Sequence, residues 1–179
     1  MALVMMSANV YAFDVHELMD TLARVEKSDA RFTETKHIAL LDKPLVLSGT
    51  LSYARPDRLE KNVLSPQSER FVLDGNTLTI EAKGKRRTLT LEQQPLLRAF
   101  VESIRAARAG DLRALERHYQ LDLTGSADAW TLTLKPNDSA ARKHLKAIVL
   151  SGQNEHIVQV EIFETGGDRS IMVLNEKLS

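Results

Sequence analysis

Chemistry in a protein begins with side chains that can move a proton, hold a metal or attack an electrophile. The five histidines here, His16, His37, His118, His144 and His156, are spread singly along the chain. None belongs to a His-x-His or His-Glu-x-x-His pattern, and no carboxylate stands at ligand spacing from one, so no metal site is expected. Isolated surface histidines are the plain reading. The absence of Cys excludes disulfides, thiolate ligands and Cys nucleophiles. The sequence has no Gly-x-Ser-x-Gly elbow, P-loop or Gly-x-Gly-x-x-Gly turn, which sets aside the common serine hydrolases, nucleotide enzymes and dinucleotide enzymes. Asp14, Asp74, Asp111 and Asp168 fall where helix caps and turns need them, and no carboxylate pair stands out as an acid/base couple. The expectation is a protein without catalytic residues, metal or cofactor: a binder, not an enzyme.

Charge narrows the partners. The 179 residues carry 24 Lys+Arg and 24 Asp+Glu, both signs mixed along the whole length. A chain with zero formal net charge has no long-range field to attract a polyanion, so nucleic acid is not an expected partner. No apolar run approaches the roughly 18 residues of a membrane span. Residues 1–10, Met-Ala-Leu-Val-Met-Met-Ser-Ala-Asn-Val, are apolar and end at Tyr11-Ala12, with the small residues Val10 and Ala12 where a signal peptidase needs them. Residues 1–12 therefore read as a signal-peptide remnant without its basic start, and residues 13–179 as one exported domain.

The elements that must position any site follow from hydrophobic period. Val15, Leu18, Met19, Leu22 and Val25 share one helical face, with Asp14 as cap and Glu17 three residues later. The period then changes to two. Arg31 to Ile38 is a short Thr-rich strand. Leu45 to Arg55 is a long one, with Leu45, Leu47, Gly49, Leu51, Tyr53 and Arg55 on one face, ended by Pro56. Strands follow at hairpin spacing over 58–64, 69–73, 77–82 and 86–91, punctuated by Asp74-Gly75-Asn76 and Lys83-Gly84-Lys85. Pro95 opens a second helix with Leu97, Phe100, Val101 and Ile104 on one face, closed by Gly110, and Asp111 caps a short third one. Five more strands are predicted over 119–124, 130–134, 147–151, 156–164 and 169–178.

Short loops join antiparallel neighbours only, so the sequence predicts an α+β protein whose sheet is a meander interrupted midway by helices. About ten or eleven strands is near the size at which a twisted open sheet must curl. The concave face then needs a cover, and the two amphipathic helices are the candidates. A curled, incomplete antiparallel barrel with an α-helical lid over a hydrophobic cavity is the expected architecture. A core filled by its own side chains is the alternative. Against it stand the short helices and the scarcity of aromatics, five Phe, three Tyr and one Trp.

Three stretches carry a resemblance: Arg31-Phe32-Thr33-Glu34-Thr35-Lys36 after the first helix, Ser48-Gly49-Thr50-Leu51-Ser52-Tyr53-Ala54-Arg55-Pro56, and Leu73-Asp74-Gly75-Asn76-Thr77-Leu78. In order and spacing they resemble the LolA family, periplasmic carriers of outer-membrane lipoproteins, from Phe13 to about Ile80. Downstream the similarity is one of architecture.

The resemblance implies a periplasmic protein whose cavity accepts the acyl chains of lipoproteins or another lipid, taken from an inner-membrane release complex and passed to an outer-membrane acceptor. The inward positions Phe32, Leu47, Leu51, Tyr53, Phe71, Leu73, Leu78, Ile80, Leu97, Phe100, Val101, Ile104 and Trp130 would line that cavity. The resemblance also makes Arg55 the lid gate, bonded to backbone groups of the lid. The alternation supports this by pointing Arg55 inward, where a guanidinium needs acceptors; a strand-end Arg reaching water is the other reading. Family members place more aromatics along these strands, so a paralogue with a different lipid cargo stands beside the general lipoprotein carrier. A lipid-sensing module that signals through a protein partner is the competing class, and an enzyme acting on lipid esters comes third.

Overall fold

The computed structural model describes residues 13–176, with the backbone alone for Pro95, Leu96, Phe100 and Glu176. The expected leader, residues 1–12, and the end of the last predicted strand lie outside the described residues.

Helix α1, Val15–Ala23, starts as its sequence dictates: the Asp14 carboxylate accepts a hydrogen bond from the Glu17 N–H at 3.0 Å. Strands β1 (Lys27–His37), β2 (Leu45–Ala54), β3 (Arg58–Ser65), β4 (Glu69–Asp74), β5 (Thr77–Ala82) and β6 (Lys85–Thr90) follow as successive hairpins. A 3₁₀ turn at Leu91–Gln93 leads to α2, Pro95–Ala109, which Gly110 closes at φ 67 in the left-handed region. Helix α3, Leu112–His118, is capped by Asp111. Strands β7 (Tyr119–Ser126) and β8 (Ala129–Pro136), the short helix α4 (Ser139–Arg142), and strands β9 (Leu145–Gln153), β10 (His156–Glu164) and β11 (Arg169–Glu176) complete the order. β1 begins four residues before its predicted start, because Ser28 and Ala30 continue the same alternation toward the cavity.

The eleven strands form one antiparallel sheet, but not one meander. Its order is β6-β5-β4-β3-β2-β1-β11-β10-β9-β8-β7. The first and last strands meet in the centre, Phe32 opposite Leu174 and Glu34 opposite Met172, and the two halves of the chain fan outward from them. Sequence proximity could not anticipate that pairing. Its consequence is that β6 and β7 are the opposite edges, so everything between them has to cross the sheet. Ten interstrand gaps laid flat would measure about 48 Å, whereas α2 and α3 together span about 33 Å. Curling shortens the path and lays the helices against the concave face. The sheet stays open, since its edge strands do not pair with each other.

The concave face is filled on one side and hollow on the other. Over β7–β9, Leu132, Leu134, Ile148 and Leu150 pack with Leu18, Met19 and Leu22 of α1 and Leu115 of α3 into one dry cluster. Over β4 and β5 only a small second cluster forms, Leu73, Leu78, Leu91 and Val101. Both expectations for the interior, packed core and cavity, therefore hold in different halves of the sheet.

Candidate functional site

Between the hollow half of the sheet and α2 lies a cavity of about 370 Å³. Its wall is mostly aliphatic. Leu51 and Tyr53 of β2, Phe71 and Leu73 of β4, Leu78 and Ile80 of β5, and Leu97, Val101 and Ile104 of α2 all face it, as the alternation and the helical period placed them. β10 and β11 contribute Val160, Ile162, Met172 and Leu174, which sequence reasoning missed because it did not pair the last strand with the first.

Three expected lining residues are elsewhere. Phe32 and Trp130 are buried in the packed cluster, each over a glycine of the neighbouring strand. A Cβ on Gly152 would come within 2.1 Å of the Trp130 ring, and one on Gly49 within 3.0 Å of Phe32 and 1.8 Å of the Asn62 carbonyl oxygen. The missing Cβ makes the slot that each ring fills, so neither ring is left to line a cavity. The Trp130 indole N–H is further tied to the Asn154 carbonyl at 2.9 Å. Leu47 packs, half-buried, against the same cluster. The Phe100 side chain lies outside the described residues.

One end of the cavity carries charge. Ser28, Ala30, Glu34 and Lys36 of β1 share the wall, the first and last roughly 27 Å apart along an extended strand. Glu34 is 4% exposed. Its carboxylate accepts hydrogen bonds from the Lys61 ammonium of β3 and from the Ser170 hydroxyl of β11 at 2.6 Å, and Lys36 Nζ stands 3.6 Å away. Burial pushes the Glu34 carboxyl upward, but Lys61, Lys36 and these bonds outweigh it and hold it below its ordinary value. Burial dominates for Lys61, whose ammonium is held below its ordinary range despite Glu34. Lys61 also lies over the Phe32 ring, 4.9 Å from its centroid. The β1 alternation that placed Phe32 also places Glu34 and Lys36 on this face; that signal was present and not followed.

The lid is held at the opposite end by arginines. Arg55 Nη2 donates to the carbonyl of Ala23 at 2.5 Å and to that of Arg108 at 2.8 Å. Both oxygens belong to last turns, which have no helical N–H to accept from, and a cation there also meets the negative ends of two helix dipoles. Arg55 thus ties α1 and α2 together. The residue is exposed, while its guanidinium reaches the backbone carbonyls of both helices in place of ending in water. Arg105, which sequence reasoning did not single out, pins the middle of α2 to the carbonyls of Asp57, at 3.1 Å, and Gly75, both at turns on the sheet rim. Arg108 is buried, donates to the Glu155 carbonyl at 3.5 Å and lies over the Tyr53 ring.

A curled open sheet, a helical cover and an apolar cavity between them define an open half-barrel type of fold. The sequence model of the family described as outer membrane lipoprotein carrier protein LolA-like matches residues 7–176, and the chain belongs to that family. Among solved structures, a LolA superfamily protein from Nitrosomonas europaea is 10% identical with a TM-score of 0.46, covering 94% of each chain. A putative outer membrane lipoprotein-sorting protein domain from Vibrio parahaemolyticus is 8% identical with a TM-score of 0.41, covering 90% of each. The Pseudomonas aeruginosa MucA/MucB complex gives 14% identity and a TM-score of 0.48, over 90% of this chain and 55% of that one. No curated protein matches the sequence. Among the described residues, no helix is long and apolar enough to cross a membrane.

Proposed function

We propose that the protein is a periplasmic carrier that takes acyl chains of a lipoprotein or a related lipid into the cavity under α2 and hands them to an outer-membrane acceptor. The observation that carries this reading is the 370 Å³ space itself, walled by aliphatic side chains and covered by a helix that polar contacts hold in place. Leu, Ile and Met linings adapt to flexible chains without imposing one shape. Each buried methylene contributes about 0.8 kcal/mol, so partial coverage of one chain already gives useful affinity. A carrier must also let go. A lid latched by a few hydrogen bonds opens at a cost of a few kcal/mol, and direction comes from an acceptor with higher affinity; the sequence offers no nucleotide motif to drive release.

The closed state leaves about 370 Å³, at the lower end of the roughly 300–1,000 Å³ of ligand sites, so the bound state has α2 lifted off its latch and holds one chain at a time. The test is organic extraction and mass spectrometry of the full chain purified from a periplasm. An acyl-chain compound bound to the wild type, and lost when Val101→Arg fills the cavity, is the expected result. Ligand-free protein that also fails to take up added lipid overturns the carrier reading. A stable protein partner found by crosslinking in place of any lipid would favour a sensor.

A further inference from the structure

A cavity meant only for hydrocarbon has no use for two ammonium groups and a carboxylate in its wall. Charges buried beside apolar surface are costly, and apolar residues of similar size would serve a packed core as well or better. Yet Glu34, Lys36, Lys61 and Ser170 all line the cavity, contributed by three strands, β1, β3 and β11. Sequence distance is no obstacle to their meeting: Ser170 and Glu34 come together through the pairing of β1 with β11.

We propose that this cluster is an anchor for the headgroup of the cargo, and that the cargo's reach into the cavity ends in a single-charge anion, a carboxylate, held by Lys61 and Lys36. The inference rests on the carrier reading and specifies its ligand. Three features lead to it. The first is the charge count within the cluster, two ammonium groups against one carboxylate, with the third cation of the wall, Arg108, apart from it at the lid end; the cluster has one positive charge left for a monoanion. The second is donor supply. Each ammonium has three N–H donors, and among the described residues the hydrogen bonds of Lys61 go to Glu34 alone. The third is position. The Lys36 side chain is 38% exposed and that of Lys61 22%, so the cluster stands where the greasy trough meets water. From there to Ser28 the wall runs roughly 20 Å along β1, room for one extended chain with its polar end at the lysines.

Arg108, the other cation on the wall, does not compete for this role. It is buried at the lid end, on the Glu155 carbonyl and the Tyr53 ring. Glu34 acts as the placeholder in the empty protein: it keeps two lysines in the wall until an incoming carboxylate shares them. Glu69 adds a more distant negative charge to the field at Lys61.

The experiment uses the full chain and displacement of a neutral solvatochromic dye by hexadecanoic acid, hexadecanol and hexadecyltrimethylammonium. The acid is expected to bind at least about tenfold tighter than the alcohol, and the cation weakest of the three. Lys61→Met should bring the acid down to the level of the alcohol. Because that change strands Glu34, the double variant Lys61→Met/Glu34→Gln and the partly exposed Lys36→Met are run beside it, with folding checked by circular dichroism. Glu34→Gln alone removes the competing carboxylate and should tighten the acid severalfold. Equal binding of acid and alcohol by wild type overturns the anchor while leaving the carrier intact, as does equal weakening of both in the lysine variants. Failure of all three ligands to displace the dye overturns both readings.

Discussion

Changing Arg55 to Leu removes a single Nη2 that donates to carbonyls on two helices, at 2.5 and 2.8 Å. A hydrogen bond from a charged donor contributes about 1.5–3 kcal/mol when water is excluded. Arg55 is exposed, and water replaces part of what is lost, so about 2 kcal/mol for the pair is the reasonable magnitude. At about 1.4 kcal/mol per decade, that moves the closed-to-open ratio of the lid by about thirtyfold. On the carrier reading, ligand is held only by the open form. The apparent dissociation constant is the intrinsic one divided by the open fraction, so it should fall by up to the same factor if the closed form dominates in wild type. Dye titration of the cavity reads the affinity, and amide hydrogen exchange of α1 and α2 reads the opening directly. Tighter binding with faster exchange in both helices is the expected pair, with slower onward transfer because the cargo no longer competes with a latch. Arg55→Lys, which keeps charge but loses the planar fork, should fall between. Unchanged affinity and unchanged exchange in Arg55→Leu would refute the gate.

Other consequences are open to simpler measurements. Gly152→Ala drives a methyl into the Trp130 ring and should cost about 1–3 kcal/mol in urea unfolding; a midpoint within error of wild type counts against the ring-over-glycine packing. Leu134→Ala, in the packed half, should cost about 2–5 kcal/mol, while Leu97→Ala, on the cavity wall, should cost less than half as much and take up larger dyes. Equal losses would mean that the wall is not hollow. Glu34 titrates below its ordinary 4.5 in the folded state. Its stabilising contribution is therefore complete above pH 4.5 and is lost as pH falls through the lower folded value, so Glu34→Gln should flatten the acid limb of a melting-temperature profile; an unaltered limb refutes it. Burial, helped by Glu102, pushes the Tyr119 phenol up to about 12, and its hydroxyl donates to the Ala99 carbonyl of α2 at 2.9 Å. That stability is intact below pH 10.0 and declines from there toward about 12. Absorbance at 295 nm should show one tyrosine ionising late, and a titration with every tyrosine at the ordinary value would sink the assignment.

Local structure was largely legible in the sequence because its signals are local. Asp14 caps α1, Pro95 and Gly110 bracket α2, and the hairpins of the first half fall at their turn residues. The nine aliphatic and aromatic wall residues from β2, β4, β5 and α2 followed from period alone. What escaped depends on long-range partners. The pairing of β1 with β11 leaves no local mark, so the order of the sheet and the contribution of Met172 and Leu174 were missed. Burial of Phe32 and Trp130 depends on which glycine lies across the strand, a register that alternation does not reveal. The charged end was missed for another reason: a Glu and a Lys on an inward face read as solvated strand positions until a second and third strand bring their partners.

Why one half of the sheet is hollow follows from where the large side chains go. Phe32 and Trp130 are spent over glycines on the packed side, and α2 presents Leu97, Val101 and Ile104 to strands that offer mostly leucine and isoleucine. Among the described residues, Tyr53 and Phe71 are the aromatic rings left on that wall, and they leave the space between sheet and helix open. α2 is held over it by Arg55 at one end and Arg105 on the rim, contacts that fix its height without needing apolar contact beneath. An apolar void costs about 24 cal/mol per Å³, so 370 Å³ kept dry and rigid would cost up to about 9 kcal/mol, as much as the net stability of many domains. Water entering at the Lys36 and Lys61 end relieves part of that. The rest is a standing bias toward anything that fills the space. On the proposed carrier reading, an acyl chain recovers it on entry, and the arginine contacts, which would have to break to admit the chain, set how much of that gain is kept and how readily an acceptor can take the chain.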